Sequence, residues 1–410
     1  MKKHTWPRLL LWSHVIAVIG FYITLWLRTN PRHGIPRAIA RTKTATAQEP
    51  NLLKNPLVSI IVPARNEERN IRRCVTSLLE QDYESFEVIV VDDGSTDDTT
   101  CILDEIAQTH PRGNRLWVLR LKDLPAGWAG KPHALHAGAQ EARGNCLLFT
   151  DADTWHAPNA LRSSLAQAID ERIDVFSLMT NQELPGFWNK VMMPMAFIGI
   201  GMMYPFDKVN DPSSPVAIAN GQYILIRRAV YEAIGGFARP DLRQSLVDDR
   251  DLARVIKANG FRLRLADGRD LVSTQMYDSL DEIWRGWRKN SFVGSRGGLP
   301  FVVLMLLGLP MISIVPFLLP LLARSRKLQQ AVHITSAEAA ITGTLEISSI
   351  LIYRKWVNQW LNVPWYYAFT HPLAGALFDT ILAQSAWRVL TGKGLDWRGR
   401  QYTLRMNKDK

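Results

Sequence analysis

The sequence predicts an α/β fold with a mostly parallel β-sheet flanked by helices. Between residues 57 and 151, apolar strand patterns alternate with helical patterns in the order β-α-β-α-β-α-β. Strands that are joined through helices pair in parallel by right-handed crossovers. Three of these strands end in polar residues, and ligands of such sheets bind outside the carboxyl ends of the strands. We therefore expect a binding site at that edge.

Each element of this region has its own signal. LVSIIVP (57–63) is an apolar run typical of a buried parallel strand, and the EERNIRRCVTSLLE segment after it has apolar residues at helical spacing. Asn66 is expected to cap that helix. The later elements follow the same alternation: strands FEVIVVDD (86–93), LWVLRL (116–121) and CLLFTD (146–151), and helices DDTTCILDEIAQ (97–108) and KPHALHAGAQEAR (131–143).

Two uncharged apolar segments outside this region predict membrane helices. Residues 9–27 are about long enough to span a bilayer, and arginines rather than a small-residue cleavage site follow them, which favours a retained anchor over a signal peptide. Residues 299–322 contain four prolines, which membrane helices and re-entrant hairpins tolerate. The less apolar segments 331–352 and 361–390 are expected either to span or to lie at the membrane interface.

The net charge of +11 favours a membrane surface as partner over nucleic acid, because the basic residues cluster beside the apolar segments, at 28–43, 324–327 and 393–410. Five Lys or Arg residues follow the first apolar segment within 28–43 and three precede it, so the central region is expected to face the cytoplasm. Three cysteines without a Cys-x-x-Cys pair predict neither a disulfide framework nor a zinc site. The absence of Gly-x-Gly-x-x-Gly and of a P-loop argues against a dinucleotide oxidoreductase or an NTPase.

Two acidic strand ends are candidate ligand sites. VIVVDDGSTDDT (88–99) places Asp92 and Asp93 before a flexible turn, where a carboxylate can accept hydrogen bonds from a nucleotide base or ribose. CLLFTDADTW (146–155) places Asp151 and Asp153 after a buried strand. In both cases the alternative is an ordinary acidic turn.

VSIIVPARNEERNI (58–71), VIVVDDGSTDDT, GKPHALHAGAQEARGNCLLFTDADT and VDDRDLARVIKANGF (247–261) together resemble the family 2 glycosyltransferases, which have the GT-A fold. The resemblance covers residues 57 to about 292, and the flanking apolar segments resemble the bacterial branch that glycosylates carotenoids and hopanoid-type terpenoids. It implies a multi-pass protein of the bacterial inner membrane, with a cytoplasmic catalytic domain. The activity implied is inverting transfer of a sugar from a nucleotide-diphosphate sugar, with UDP-sugar favoured, to a hydroxyl of a lipid acceptor.

The resemblance also implies roles for the matching donor-side residues. Pro63, Glu67 and Asp92 or Asp93 would line the nucleotide pocket. Asp151 and Asp153 would form an Asp-x-Asp element holding Mg²⁺ or Mn²⁺ on the diphosphate, since hard oxygen ligands suit these cations. Asp153 would be the direct ligand, and contact with the sugar or ribose is the alternative role for Asp151. Lys131 would contact the diphosphate as a point charge, although a solvated lysine at a helix start is the alternative.

The acidic segment at 247–261 resembles the helix start that supplies the catalytic base. The resemblance puts the base at Asp249, with Asp248 at a position often held by Glu. Acids that stabilise a helix N-terminus are the alternative for Asp248 or Asp251.

The segment SLDEIWRGWRKNSF (279–292) lacks the Gln-x-x-Arg-Trp sequence of processive relatives, which counts against a chain-extruding polysaccharide synthase. Its composition is typical of an amphipathic interfacial helix, and an acceptor or diphosphate site is the alternative. The aromatic and basic residues of this segment are Trp284, Arg285, Trp287, Arg288 and Lys289.

The methionine-rich segment 185–206 is expected either to be buried core or to line a channel for an apolar acceptor. Gly235 and Gly236 are expected to serve backbone geometry. The predicted organisation is an anchor at 1–28, a linker at 29–55, a catalytic domain at 56–292, transmembrane or interfacial helices at 293–390 and a basic cytoplasmic tail at 391–410. A polysaccharide or polyprenyl-phosphate glycosyltransferase and an inactive membrane scaffold that binds nucleotide sugar remain the alternative functions.

Overall fold

The computed structural model describes residues 5–29, 38, 55–294, 298–322, 324–391, 393–397 and 400–402. The chain divides into two compact units. The sheet unit comprises Gly34–Glu183 and Tyr204–Met276, and the helical unit comprises Met1–His33, Leu184–Met203 and Tyr277–Lys410. Most of the predicted linker at 29–55 and much of the basic tail at 391–410 lie outside the described residues.

The described strands, in chain order, are β1 Val58–Ala64, β2 Phe86–Asp92, β3 Leu116–Arg120, β4 Cys146–Phe149, β5 Thr154–His156, β6 Val175–Met179, β7 Asn181–Gln182, β8 Ile224–Arg227, β9 Leu263–Asp267, β10 Val272–Thr274, β11 Leu395–Trp397 and β12 Arg400–Tyr402. The described α-helices are α1 Thr5–Thr29, α2 Ile71–Leu79, α3 Thr99–Thr109, α4 Gly130–Glu141, α5 Ala160–Asp170, α6 Phe187–Met203, α7 Phe206–Asn210, α8 Arg228–Ala233, α9 Asp248–Ala258, α10 Leu280–Gly294, α11 Gly298–Ser313, α12 Val315–Leu322, α13 Arg326–Val332, α14 Ser336–Trp360 and α15 His371–Leu390.

A seven-stranded sheet organises the sheet unit, in the order β3-β2-β1-β4-β8-β6-β9. Strands β1 to β4 pair in parallel, whereas β8 runs antiparallel to both of its neighbours. The predicted α/β fold with a mostly parallel sheet is therefore confirmed, and the antiparallel strand makes the sheet mixed. Because β1 and β2 pair Ala64 with Asp92, the polar loops that follow them begin at the same edge.

The sheet is sandwiched by apolar side chains, as a parallel sheet covered on both faces requires. Every residue of β2 is buried, and in β1 only Pro63 is partly exposed. Helix α2 presents Ile71, Cys74, Val75 and Leu78 to the same core, at the helical spacing that the sequence shows. This packing fixes the strand ends that carry the polar residues.

The loop after β1 differs from the prediction. Helix α2 begins at Ile71, and Asn70 rather than Asn66 precedes it. Asn66 instead adopts a left-handed backbone conformation (φ 53°), which asparagine tolerates better than most residues. Gly235 (φ 78°) and Gly236 (φ 52°) also adopt positive φ, which confirms that their role is backbone geometry.

The helical unit has its own core, formed by three separate parts of the chain. Val18 and Tyr22 of α1, Met192 of α6, and Ile350 and Tyr353 of α14 belong to one buried cluster. A hydrogen bond of 2.8 Å between His14 Nδ1 and Glu346 Oε1 joins α1 to α14. The methionine-rich segment therefore contributes to a buried core.

One described helix, Trp6–Thr29, is long and apolar enough to cross a membrane, a property that a buried core helix or a signal sequence can share. Leu299–Ser313 and Val315–Leu322 meet the same criteria only as a pair, which is bent by 46° as in a broken span or a re-entrant loop. Helices α14 and α15 do not meet them. The predicted C-terminal transmembrane helices, and with them the multi-pass topology, are therefore not supported.

Candidate active site

Three carboxylates surround one lysine at the rim of the sheet unit. Lys131, the second residue of α4, places its Nζ atom 2.6 Å from Asp151 Oδ1 and 3.5 Å from Asp248 Oδ2. Asp249 is the third carboxylate, and its charge also acts on this ammonium group. Burial alone would lower the pKa of Lys131, but the negative charges of Asp151, Asp248 and Asp249 raise it above its ordinary value. The lysine is therefore a fixed positive charge in an acidic pocket.

A network of buried hydrogen bonds holds the Asp151-Ala152-Asp153 turn in place. It leaves β4, which lies between β1 and β8, and the Thr150 N–H donates to Ile61 O (3.1 Å). Thr150 Oγ1 also donates to Gln222 O (2.8 Å), and Thr154 Oγ1 donates to Asp151 O (2.8 Å). These bonds orient the turn that carries both aspartates.

A histidine side chain belongs to the same hydrogen-bond network. His156 Nε2 lies 2.9 Å from Thr154 Oγ1 and 3.1 Å from Thr150 Oγ1. Burial lowers the pKa of His156 to about 3, so the ring is neutral at physiological pH. His156 therefore acts as a hydrogen-bonding group beneath the turn and adds no charge to it.

Asp249 has the properties that a general base requires. Its Oδ1 accepts from the Arg250 N–H (2.7 Å) and its Oδ2 from the Gly221 N–H (3.2 Å), which fixes the carboxyl group at the start of α9. Burial raises the pKa of Asp249, and the charge of Asp248 raises it further, to about 6, against the opposing effect of Lys131. A carboxylate with a pKa near the operating pH is suited to accept a proton.

The neighbouring aspartates have different surroundings. Asp248 is buried beside Lys131. Asp251 accepts from Ser245 Oγ (2.6 Å) through Oδ2 and from Arg250 Nε (3.0 Å) through Oδ1. These hydrogen bonds give Asp251 a structural role at the start of α9.

The loops after β1 and β2 are hydrogen-bonded to one another. The Asn66 N–H donates to Ser95 Oγ (3.0 Å), and Asn66 Oδ1 accepts from the Thr96 N–H (2.8 Å). The Glu67 N–H donates to Thr99 Oγ1 (2.8 Å). The left-handed turn at Asn66 thus joins the first two sequence motifs into one structural element.

The four predicted nucleotide-pocket residues meet at this element. Pro63 lies on β1 opposite Val91, and the Asp93 N–H donates to Ala64 O (2.9 Å). Asp92, which is buried, accepts from the Ser95 N–H (2.9 Å) and from Thr100 Oγ1 (2.7 Å), so part of its function is to shape the turn. The other buried acids of this element are Glu67 and Asp93.

The predicted metal ligands are oxygen donors, the kind that Mg²⁺ and Mn²⁺ prefer. Asp153 follows Asp151 in the turn, and its backbone carbonyl accepts from Thr274 Oγ1 (3.1 Å). Within the described ranges, no three His, Cys, Asp or Glu side chains stand close enough to hold a metal ion by themselves. A divalent cation here would therefore need further ligands, as Mg²⁺ does when substrate phosphates complete its coordination.

The aromatic and basic cluster predicted at 284–289 lies on α10, in the helical unit. Trp284 Nε1 donates to Gln384 Oε1 (2.6 Å), Trp287 packs edge-to-face on Phe378, and Arg285 forms an ion pair with Asp281. Arg288 and Lys289 are on the same helix, and the Arg288 carbonyl accepts from Ser385 Oγ (2.6 Å). The two tryptophans thus pack onto α15.

Sequence reasoning missed the residues that shape the site without carrying charge. Gly221 is one: a Cβ atom there would lie 3.2 Å from Lys131 Nζ and 3.4 Å from Asp249 Oδ2, so only glycine leaves this space open. Thr150 and His156 are two others. The strand-end position of Thr150 beside Asp151 was a usable signal, whereas the partners of Gly221 are distant in sequence.

Comparisons of the sequence and the fold with known proteins give consistent results. Residues 59–235 match the glycosyl transferase family 2 model. The chain is 26% identical over 360 residues to a 4,4'-diaponeurosporenoate glycosyltransferase of Staphylococcus aureus, a match that covers 85% of this chain and 88% of the relative. Its fold resembles that of the mannosyltransferase PcManGT from Pyrobaculum calidifontis, solved in complex with GDP-Man and Mn²⁺, with a TM-score of 0.52 and 18% identity over 93% of this chain and 99% of that one.

These results agree with the site described above. The matched region contains the loops after β1 and β2, Lys131 and the Asp151-Ala152-Asp153 turn, and the structural likeness shows the fold of a GT-A enzyme. The chain is therefore a glycosyltransferase, and its residues 59–235 are similar to glycosyl transferase family 2.

Proposed function

We propose that this enzyme transfers a sugar from a nucleotide-diphosphate sugar, with UDP-sugar favoured, to a hydroxyl of a terpenoid lipid such as a carotenoid, with inversion at the anomeric carbon. The observation that carries the proposal is the arrangement of Asp249, Asp248, Asp151 and Lys131 in one pocket. The carotenoid acceptor is supported by the similarity to the 4,4'-diaponeurosporenoate glycosyltransferase, which extends over most of both chains.

The chemistry needs one base. Asp249 accepts the proton of the acceptor hydroxyl while that oxygen forms a bond to the anomeric carbon. The bond from that carbon to the diphosphate breaks, and its electron pair leaves with the diphosphate. Because the attack comes from the opposite face in a single displacement, the configuration inverts.

The donor side is assigned to the remaining acids and the lysine. Glu67, Asp92 and Asp93, with Pro63, lie where strands β1 and β2 end and would contact the base and ribose. Lys131 would contact the diphosphate.

The residues fit a divalent cation, Mg²⁺ or Mn²⁺. The carboxylates of Asp151 and Asp153 are hard oxygen ligands of the kind these ions prefer, and Asp151 already pairs with a cationic group, the Lys131 ammonium at 2.6 Å. Asp153, with Asp151 beside it, would hold the ion together with the donor's diphosphate. When bound, the ion would offset the charge that develops on the leaving diphosphate.

Membrane attachment is part of the proposal. Helix α1 and the bent pair α11 and α12 are supported as membrane-inserting segments by their length and composition. The orientation with the sheet unit in the cytoplasm rests on the basic residues at 28–43. The tryptophans and basic residues of α10 suit the membrane interface better than the diphosphate site, since Trp284 and Trp287 pack within the helical unit.

The test uses the full-length protein in bacterial membranes with radiolabelled UDP-glucose, UDP-N-acetylglucosamine or GDP-mannose. Labelled, extractable lipid is expected, and chelation by EDTA should abolish it until Mg²⁺ or Mn²⁺ is restored. Asp249→Asn should lower kcat by about 10²- to 10⁴-fold with donor affinity unchanged. The matched control is Asp241→Asn, an exposed acid of the same unit.

Each part of the proposal can fail separately. Transfer at the wild-type rate by Asp249→Asn would remove Asp249 as the base. Label found only in insoluble polymer would contradict a lipid acceptor, and donor binding without any transfer would favour a scaffold.

A further inference from the structure

The helical unit contains an apolar cavity of about 160 Å³. Its walls come from α1, α6, α10, α11 and α15, and most of the lining residues are aliphatic, aromatic or methionine. An apolar cavity of roughly 150 Å³ stays free of water and can bind a ring of six carbon atoms. The space is therefore suited to a hydrocarbon segment of similar size.

The wall of this cavity is adaptable on the side of α6. Met195, Met202 and Met203 line it from that helix, and Met305 lines it from α11. Methionine side chains are flexible and polarisable, so they adjust to irregular apolar ligands. Gly199 also lines the cavity, and a Cβ atom built there would meet no heavy atom within 4 Å. The open position at Gly199 keeps the cavity free.

A buried polar group lies in the same wall. The indole N–H of Trp287 is buried and, among the residues that the structure describes, has no hydrogen-bond acceptor. Phe378 holds the ring edge-to-face, with 5.5 Å between the ring centroids. Buried donors almost always have an acceptor, so this one points to a ligand with an electron-rich group.

Two of the lining helices also indicate where the ligand comes from. Phe21 and Tyr22 belong to α1, whose length and composition suit a membrane, and Phe301 and Val302 belong to α11, which meets the same criteria only together with α12. A ligand that enters between such helices would come from the hydrocarbon phase. Its chemistry is then that of a lipid chain.

We propose that this cavity binds a segment of about six carbon atoms from the unsaturated isoprenoid chain of the lipid acceptor. Trp287 donates its indole N–H to an oxygen or a double bond of that chain, and the methionines of α6 pack around it. This assignment rests on the proposed function and adds the site that recognises the acceptor's hydrocarbon part. The charged pocket of the sheet unit is not needed for this recognition.

The experiment measures binding without a donor sugar. Full-length protein in nanodiscs of a saturated phospholipid is photo-crosslinked to diazirine-labelled geranylgeraniol, and the labelled peptides are mapped by mass spectrometry. Crosslinks are expected on α6 and α10. Trp287→Phe, which keeps the ring and removes the donor, should weaken binding about fivefold.

Two glycine variants provide the decisive comparison. Gly199→Leu places a side chain in the cavity, and because each methylene excluded from an apolar site weakens binding about fourfold, at least a tenfold loss is expected. Gly20→Leu is the matched control: its Cβ position on α1 is equally open, but Gly20 does not line the cavity. Gly20→Leu should bind as the wild type does.

Three results would overturn the assignment: equal crosslinking by Gly199→Leu and the wild type, crosslinks confined to helices that do not line the cavity, or displacement of the probe by excess saturated phospholipid but not by unlabelled geranylgeraniol. Since no donor sugar is present, loss of crosslinking counts against the cavity alone. Loss of sugar transfer with the crosslink intact counts against the proposed function alone.

Discussion

Replacing Lys131 with methionine should move the acid limb of the pH–activity profile to higher pH. Asp249 must be deprotonated to act as a base, so activity falls as the pH drops through its pKa, which burial and the charge of Asp248 raise to about 6. Lys131 opposes that rise. Removing the lysine should therefore raise the pKa of Asp249 further.

The size of the shift follows from the distance between the two charges. Lys131 Nζ and Asp249 Oδ2 lie 3.2 Å and 3.4 Å from the position of a Cβ on Gly221, so they are at most about 6.6 Å apart. At that limiting separation, an effective dielectric constant between about 20 and about 80 gives between about 2.5 and about 0.6 kcal/mol, or about 1.8 to 0.5 pKa units. Because Lys131 is partly exposed and solvent screens its charge, we expect about one unit.

The assay is kcat/KM for the donor between pH 4.5 and 9, which reports the ionisation of the free enzyme. Asp248→Asn should shift the limb in the opposite direction, because it removes a negative charge beside Asp249. Lys122→Met, at an exposed lysine of the same unit, is the control for lysine removal. A limb that stays in place in both Lys131→Met and Asp248→Asn would refute Asp249 as the titrating base.

Two further substitutions test the surroundings of the site, and a third tests the ion pair of Glu87 at the opposite end of β2. Gly221→Ala should lower kcat about tenfold with little change in Tm, because its Cβ presses on two flexible side-chain ends at 3.2 and 3.4 Å; a wild-type rate would contradict the close approach. Thr150→Val should lower the free energy of unfolding by about 1–3 kcal/mol, because it leaves the buried His156 Nε2 and Gln222 O without the Thr150 hydroxyl. The exposed Thr109→Val should be nearly neutral in the same denaturant titration. Glu87→Gln should destabilise the protein by about 2 kcal/mol at pH 7. Burial acts to raise the pKa of Glu87, but hydrogen bonds from Ser59 and Arg143 lower it below its ordinary value. The stabilisation by Glu87 should therefore be lost as the pH falls through that pKa. If Glu87→Gln destabilises the protein equally down to pH 3, the stabilising role of the Glu87 charge is contradicted.

The sheet was predictable because its signals are local. Apolar runs and helical spacing placed β1 to β4 and the helices between them within a few residues of their observed bounds. The start of α2 was predicted wrongly, because Asn66 bonds to the loop after β2 rather than capping the helix. That choice depends on a partner about thirty residues away, which no local propensity encodes.

The charged residues of the site could be predicted from the sequence, whereas the uncharged residues that position them could not. Asp151 and Asp249 stand at element ends, where motifs are readable, and the structure brings Asp151 and Asp248 to Lys131. Gly221 and His156 act through neighbours that only the folded chain supplies. Spans after α12 were one of two options for segments that carry Glu338 and Glu346, and they are not supported. Glu346 and Arg354 of α14 are buried within the helical unit, a placement that depends on neighbours distant in sequence.

The division of the helical unit among three parts of the chain has a consequence for synthesis. Chains are made from the N-terminus, and their domains generally fold as units during that process. Here α1 is made first and α6 much later, but α14, which contributes to the same buried cluster, emerges only near the end. The apolar faces of α1 and α6 therefore lack their α14 partner until α14 is made, and a chain that stops after Met276 would expose them to aggregation or proteolysis.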